Sequence, residues 1–94
     1  MITHTVVWKL KEENKAENAK KLKEMLDALP AKIPEIQFFQ VGLNENDGDH
    51  DAILISRFYS YDDLKTYDAH PEHQKCRTFI RSVAESRVAV DFTE

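Results

Sequence analysis

The sequence contains a single cysteine, two glycines and three prolines among its 94 residues. One cysteine cannot form an intramolecular disulfide, so a disulfide-stabilised scaffold is excluded. The low glycine and proline content excludes low-complexity and collagen-like chains. The 41% of hydrophobic and 32% of charged residues are typical of a globular protein. A chain of this length forms one small domain, which we expect to span residues 1–94.

An excess of positive charge and a long hydrophobic run are also absent. The net charge is −4, and the lysines of segment 15–23 are interleaved with acidic residues, which argues against a nucleic-acid binder. No apolar run approaches the roughly 20 residues that span a bilayer. The segment "MITHTVVWKL" lacks the basic start and the cleavage site of a signal peptide. We therefore expect a cytoplasmic protein with no nucleic-acid and no membrane partner.

Hydrophobic periodicity predicts four strands and two helices, the second of which is divided by Pro71. The predicted strands are 2–10, 35–43, 51–59 and 86–93, and the predicted helices are 12–29, a short one opened by Ser60, and 71–82. Ser60 and Asp63 have the spacing of a helix capping box. The order β-α-β-β-α-β is the ferredoxin-like α+β pattern, a four-stranded antiparallel sheet with helices on one face.

The second and third predicted strands are apolar on both sides, although helices cover only one face of such a sheet. The residues that we assign to the uncovered face are Phe39, Val41, Ile53, Ile55 and Tyr59. An exposed apolar face of this extent requires a partner. We predict a homodimer in which two copies pack sheet against sheet as an α/β barrel.

The segment "TYDAHPEHQKC" contains two histidines, three residues apart, after a tyrosine. Pro71 is suited to the first position of a helix, so His70 is predicted to serve the helix start. In that helix His73 lies on the apolar stripe, and Arg77 and Arg81 are assigned to the opposite side. Tyr67 ends the preceding helical piece on its inward side. His4 lies on the core face of the first strand, so three polar groups converge between sheet and helices.

This convergence permits two interpretations. His73 in the first turn of a helix favours neutral imidazole, which can act as a general base. Tyr67 could then donate to an oxyanion, and His4 could orient a partner or bind substrate. Alternatively, all three are hydrogen-bonded core residues without a reaction. Cys76 is interpreted as a buried packing residue.

Metal binding is the weakest interpretation of these histidines. The HxxH spacing crosses the helix start, and the HExxH pattern of zinc proteases is absent. We therefore expect no metal and no cofactor.

Three segments resemble the stress-responsive A/B barrel domain (Dabb) family. They are "HTVVWKLKEE", "LPAKIPEIQFFQVG" and "YDAHPEHQKCRTFIRSVAESRVAVDF". The resemblance implies a ferredoxin-like subunit and a dimeric α+β barrel, and most members of the family have no assigned activity. The expected function is therefore that of a Dabb protein that binds a small organic ligand between sheet and helices. A haem or metal protein on the same barrel is a weaker alternative.

A distant plant relative in this family, olivetolic acid cyclase, implies an enzymatic alternative. It closes a polyketide without metal or cofactor, and the positions of its catalytic residues correspond to Tyr67, His73 and His4. The alternative function is thus a polyketide-cyclase-like or isomerase activity with His73 as base and Tyr67 as oxyanion donor. The match does not extend to Ala52, where that cyclase has a histidine, or to Leu26, where it has a tyrosine. A non-catalytic protein with the same core is the competing hypothesis.

Overall fold

The computed structural model describes all residues from 1 to 94. Its elements are β1 Ile2–Leu10, α1 Lys15–Asp27, β2 Phe38–Leu43, β3 Ala52–Phe58, α2 Tyr61–Ala69, α3 Pro71–Val83 and β4 Ala84–Thr93. The strands form one antiparallel sheet in the order β2-β3-β1-β4. This is the predicted ferredoxin-like α+β fold. None of the helices has the length and apolar character needed to cross a membrane.

Two of the three helices begin at a side-chain cap, which is Ser60 for α2 and His70 for α3. Asn14 precedes α1 in the left-handed conformation (φ 54°), which asparagine tolerates better than most residues. The Ser60 hydroxyl oxygen accepts from the Asp63 backbone N–H at 3.1 Å, which is one of the two hydrogen bonds of the predicted capping box at the start of α2. Pro71 occupies the first turn of α3, where its missing N–H costs no helical hydrogen bond. The chain therefore turns sharply between α2 and α3, and the two helices meet at the residues of the candidate site.

Part of the buried interior is purely apolar. Leu22 lies on the apolar stripe of α1, Leu29 lies just after the end of this helix, and Leu10 is the last residue of β1. We call four members of this apolar cluster the packed core: Leu10, Leu22, Leu29 and Ile33, each at most 2% exposed. Burying a side chain of this kind contributes about 1.5–3 kcal/mol, so the packed core supplies much of the stability of this small fold.

Two residues of β2 lie on the opposite face from the one predicted. Val41 pairs with Leu54 and is 5% exposed, and Phe39 packs against the same core beneath the helices. The assignment of Phe39 and Val41 to the uncovered face was therefore wrong. The predicted strand 35–43 had Ile36 and Phe38 as a second apolar side, so alternation alone did not decide which side faces the helices. In β2 itself the outer side carries Phe38, Gln40 and Gly42. The register with β3 decides which side faces the helices.

The outer face of the sheet is apolar and lies opposite the helices. β4 contributes Val88, Val90 and Phe92, which are 55%, 64% and 46% exposed. Ile53 and Ile55 lie on the same face because they alternate with the buried residues of β3. The outer apolar face is defined as Phe38, Ile53, Ile55, Val88, Val90 and Phe92. Three such side chains in a row on one edge strand are unusual for a monomeric protein.

Candidate functional site

A cavity of about 170 Å³ opens between the inner face of the sheet and helices α2 and α3. It contains all three residues singled out from the sequence, together with apolar and cationic side chains. The lining residues are His4, Val6, Trp8, Leu26, Leu54, Tyr67, His73, Arg77, Ile80, Arg81 and Arg87. This volume is comparable to that of cavities that hold a benzene-sized molecule. The convergence predicted from periodicity is thus present, and the space reaches both His73 and Tyr67.

His4 is held in the cavity wall by the last strand. It lies opposite Asp91 in the register of β1 and β4, and its Nδ1 contacts the Asp91 carboxylate. A carboxylate accepts, so Nδ1 carries the hydrogen of this bond. The backbone carbonyl of His4 accepts from the Ser56 hydroxyl at 3.1 Å, and Ser56 is fully buried. The imidazole is 8% exposed and has a fixed orientation, with Nε2 as its remaining nitrogen.

Tyr67 is fully buried in the centre of an aromatic group. Its ring lies 4.3 Å from that of His73, 5.1 Å from that of Phe58 and 6.0 Å from that of Phe39, measured between centroids. The hydroxyl has no hydrogen-bond partner, although it is shielded from solvent. Burial raises the pKa of this hydroxyl above its ordinary value, so it stays protonated and can act only as a neutral donor or acceptor. A buried hydroxyl without a partner is destabilising and calls for an explanation.

His73 is 8% exposed and lies in the first turn of α3. Its Nδ1 donates to the backbone carbonyl of Asp68 at 3.0 Å, because a carbonyl can only accept. This bond fixes the neutral ring with a free lone pair on Nε2. Burial lowers the pKa of His73 below its ordinary 6.5, and Arg77 and His4 act in the same direction, whereas Asp68 opposes them. The imidazole is therefore neutral at neutral pH and can accept a proton.

His70 and Cys76 are not part of the cavity lining. The His70 Nδ1 accepts from the Glu72 backbone N–H at 3.1 Å, so this histidine caps α3, as predicted. Cys76 is 3% exposed, and burial raises the pKa of its thiol, which agrees with a packing role. No group of three histidine, cysteine or acidic side chains has the arrangement of a metal site. The HxxH segment thus divides into one capping residue and one residue of the cavity.

Sequence reasoning missed four residues of the site. Arg77 and Arg81 follow His73 at intervals of four and belong to the same row of α3, although they were assigned to its outer side. Their long side chains reach back over the cavity from a position at the helix edge. Arg87 and Asp91 lie on the inner face of β4, opposite Trp8 and His4. The spacing of four from His73 was a usable signal for the two helical arginines. The pairing of β4 with β1 was not visible in the sequence.

The fold and the cavity define a ferredoxin-like α+β protein with a small internal cavity lined by apolar and polar side chains. The model of the stress responsive A/B barrel domain matches residues 2–94. The chain belongs to this family, as the resemblance of its three segments predicted.

Two bacterial structures share this fold over nearly the whole chain. A dimeric protein of unknown function from Bacteroides fragilis is 38% identical, with a TM-score of 0.93 over 99% of this chain and 95% of that one. A dimeric ferredoxin-like protein of unknown function from Thermobifida fusca is 24% identical, with a TM-score of 0.88 over 99% and 90%. Both relatives are dimers, which supports self-association as a property of this group.

A hydroxynitrile lyase from Passiflora edulis has the same fold at 14% identity, with a TM-score of 0.85 over 97% of this chain and 90% of that one. At this identity the likeness concerns the fold alone. No protein of curated function matches the sequence.

Proposed function

We propose that this protein binds a small carbonyl compound in the cavity and transfers a proton at the carbon next to that carbonyl. The observation that carries the proposal is the unpartnered hydroxyl of buried Tyr67, stacked against a neutral His73. The ligand's carbonyl oxygen would supply the hydrogen-bond partner that the hydroxyl lacks in the protein alone, once the bound ligand displaces the side chains that shield it. His73 would supply the base. No further group is needed for this chemistry.

The proton transfer follows from the hydrogen bonds of the two residues. The free Nε2 of His73 takes the proton from the carbon, and the electron pair moves onto the carbonyl oxygen to form an enolate. The Tyr67 hydroxyl donates to that oxygen and stabilises the charge as it develops. The imidazolium formed on His73 keeps its bond to the Asp68 carbonyl, and the Asp68 carboxylate oxygen lies 3.8 Å from Nδ1. The charge created on His73 is thus partly balanced.

The enolate has two outcomes that leave the protein unchanged. Return of the proton to a different atom isomerises the ligand. Attack of the enolate carbon on a second carbonyl closes a carbon–carbon bond, and the new alkoxide takes the proton back from His73. His4, whose ring is held by Asp91, would bind or orient the ligand in both reactions. Both outcomes use the same base and donor, and the choice between them depends on the compound bound.

Deuterium exchange tests the proton transfer without knowledge of the natural substrate. Acetophenone in D₂O at pH 7.5 is followed by proton NMR of its methyl group, with wild-type protein, His73→Ala and Tyr67→Phe. We expect wild type to accelerate exchange. A positioned base is worth about 10²–10⁴-fold, so His73→Ala should return the rate to background. The matched control is His50→Ala in the turn between β2 and β3, which should leave the rate unchanged. Equal exchange by wild type and His73→Ala would remove the base from the proposal.

The proposed assembly is a homodimer that covers the outer apolar face. Val88, Val90 and Phe92 are exposed in one row, and two relatives with this fold are dimers. Light scattering should give a mass near twice the 10.9 kDa of the chain. Val90→Asp should shift the mass toward the monomer, because a charge on the contact face is desolvated at a cost. The control Tyr61→Asp, on exposed α2, should remain dimeric. A wild-type mass near 10.9 kDa would contradict the proposal.

A further inference from the structure

The cationic residues of the cavity are all arginines. The chain has four arginines and nine lysines, and three of the arginines, Arg77, Arg81 and Arg87, line this one cavity. No lysine lines it, and neither does any aspartate or glutamate. The protein as a whole carries a net charge of −4, so the cavity is a local region of positive charge in an acidic chain. A lining of this kind attracts anions.

The three arginines approach the cavity from two sides. Arg77 and Arg81 lie on α3, one and two helical turns after His73. Arg87 lies across from them on β4, where it pairs with Trp8 of β1. An anion between α3 and β4 would therefore meet guanidinium groups from both elements.

Two of these three guanidinium groups form no ion pair within the subunit. The ion pairs of the chain's arginines are those of Arg57 with Glu94 and of Arg77 with Asp68, the latter at 3.8 Å. Arg81 and Arg87 have no acidic partner, although the sequence has 17 acidic residues. The guanidinium fork matches the geometry of a carboxylate or phosphate in a way that lysine does not. The absence of lysine from the lining thus points to a directional oxyanion contact rather than to general attraction.

The remaining lining is apolar and small. Val6, Trp8, Leu26, Leu54 and Ile80 form it, within the volume of about 170 Å³. A ligand that fills this space has an apolar body of roughly the size of benzene. The carbonyl of the ligand would meet Tyr67 and His73, and its adjacent charged group would meet the arginines.

We infer that the ligand is a small keto acid, whose carboxylate is bound by Arg77, Arg81 and Arg87 while its carbonyl lies at Tyr67. This inference rests on the proposed function for the carbonyl contact and adds the charged group that selects the substrate class. A phosphate ester presents the same oxyanion chemistry to the arginines. The carboxylate is favoured because the small cavity must hold the anion and the carbonyl together.

The indole N–H of Trp8 gives a single NMR signal inside the cavity, because the chain has only one tryptophan. Three probes of similar shape are titrated and followed by this signal: 4-methyl-2-oxopentanoate, the neutral 4-methyl-2-pentanone, and isopentyl phosphate. We expect the keto acid to bind at least tenfold more tightly than the ketone. Its affinity should fall as salt is added, because the mouth of the cavity is open to solvent.

Arg81→Gln and Arg87→Gln test the anion contact directly. Hydrogen bonds to charged groups are strong, so each variant should weaken keto-acid binding by about tenfold to a hundredfold. Neither variant should change the affinity for the ketone. The matched control is Lys75→Gln on the same helix, whose side chain is 70% exposed and lies outside the cavity lining. It should leave all three affinities unchanged.

The outcomes separate this inference from the proposed function. Equal affinities for keto acid and ketone, or no effect of the two arginine variants, would overturn the keto-acid inference. If the ketone still binds and Tyr67→Phe weakens it, the proposed function survives that result. Tighter binding of isopentyl phosphate than of the keto acid would replace the carboxylate with a phosphate ester. Failure of all three probes to move the Trp8 signal would count against both proposals.

Discussion

The packed core and the cavity lie in the same layer between sheet and helices but follow opposite rules. In the packed core, leucine and isoleucine side chains fill the space and leave no polar atom. In the cavity, His4, Tyr67 and His73 are buried to almost the same degree, and one of their polar atoms has no partner. The first arrangement maximises stability. The second gives some of it up, which is common at sites that bind or react. Removing a side-chain group should therefore lower the free energy of unfolding in the packed core and raise it at the unpartnered hydroxyl of the cavity.

The largest effect on folding is expected in the packed core. Leu22→Ala removes a fully buried side chain of α1, and substitutions of this kind cost about 2–5 kcal/mol. Urea unfolding at pH 7 measures the change in the free energy of unfolding. The exposed Lys20→Ala on the same helix is the control and should be near neutral. A loss below about 1 kcal/mol for Leu22→Ala would mean that the packed core is not the main source of stability.

Tyr67→Phe should change stability in the other direction. The substitution removes only an unpartnered hydroxyl that is buried at a cost of about 1–3 kcal/mol. We expect the variant to be more stable than wild type by about 1 kcal/mol in urea unfolding, although it loses ligand binding. Tyr61→Phe, at an exposed position of α2, serves as control with no change. Destabilisation by Tyr67→Phe would show that the hydroxyl is bonded in solution, and the contrast with the packed core would disappear.

His70 and His73 provide a smaller version of the same contrast. His70→Ala removes the side-chain cap of α3 and should cost about 0.5–1.5 kcal/mol, a typical value for one hydrogen bond or cap. Deuterium exchange into acetophenone should be unaffected at a temperature where the variant is folded. His73→Ala should have the reverse profile, with a large loss of exchange activity. Equal effects of the two substitutions on exchange would show that capping, not the base, controls the activity.

The smallest expected effect is a dependence of stability on pH. The pKa of His73 is lower in the folded protein than in the unfolded chain, where it is near 6.5. The unfolded chain therefore binds this proton first as the pH falls, and the folded state loses stability below pH 6.5 until its own pKa is passed. This contribution is fully present above pH 6.5. His73→Gln should flatten the unfolding free energy between pH 6.5 and 5, relative to the control His50→Gln. An unchanged slope would contradict the burial of neutral His73.

The positions of His4, His70 and His73 relative to the cavity could be predicted from the sequence. Strict alternation in β1 places His4 on the inner face, and the stripe after Pro71 separates His73 from His70. These signals are reliable because one side of each element is polar. They fail for the predicted strand 35–43, because Ile36 and Phe38 give it a second apolar side before the chain reaches Gln40 and Gly42. There the tertiary pairing with β3 placed Phe39 and Val41 beneath the helices.

The charged part of the site was harder to predict. Arginine on an amphipathic helix is normally assigned to the solvent side, and its long side chain can still cover a neighbouring cavity. This explains why Arg77 and Arg81 were missed. Arg87 lines the cavity, and Asp91 contacts His4 in the cavity wall, because β4 pairs with β1. A pairing between the two ends of the chain leaves no local trace in the sequence.

The contact between His4 and Asp91 joins residues that are 87 positions apart. β4 is an edge strand with β1 as its only neighbour in the sheet, so this strand is held from one side. Closing so long a loop is entropically demanding, and the cavity exists only once it is closed. An anion held by α3 and β4 together would act as a noncovalent cross-link between the inner face of this strand and the helix above it. Binding should therefore slow amide hydrogen exchange along β4 more than in β2, which the ligand does not touch.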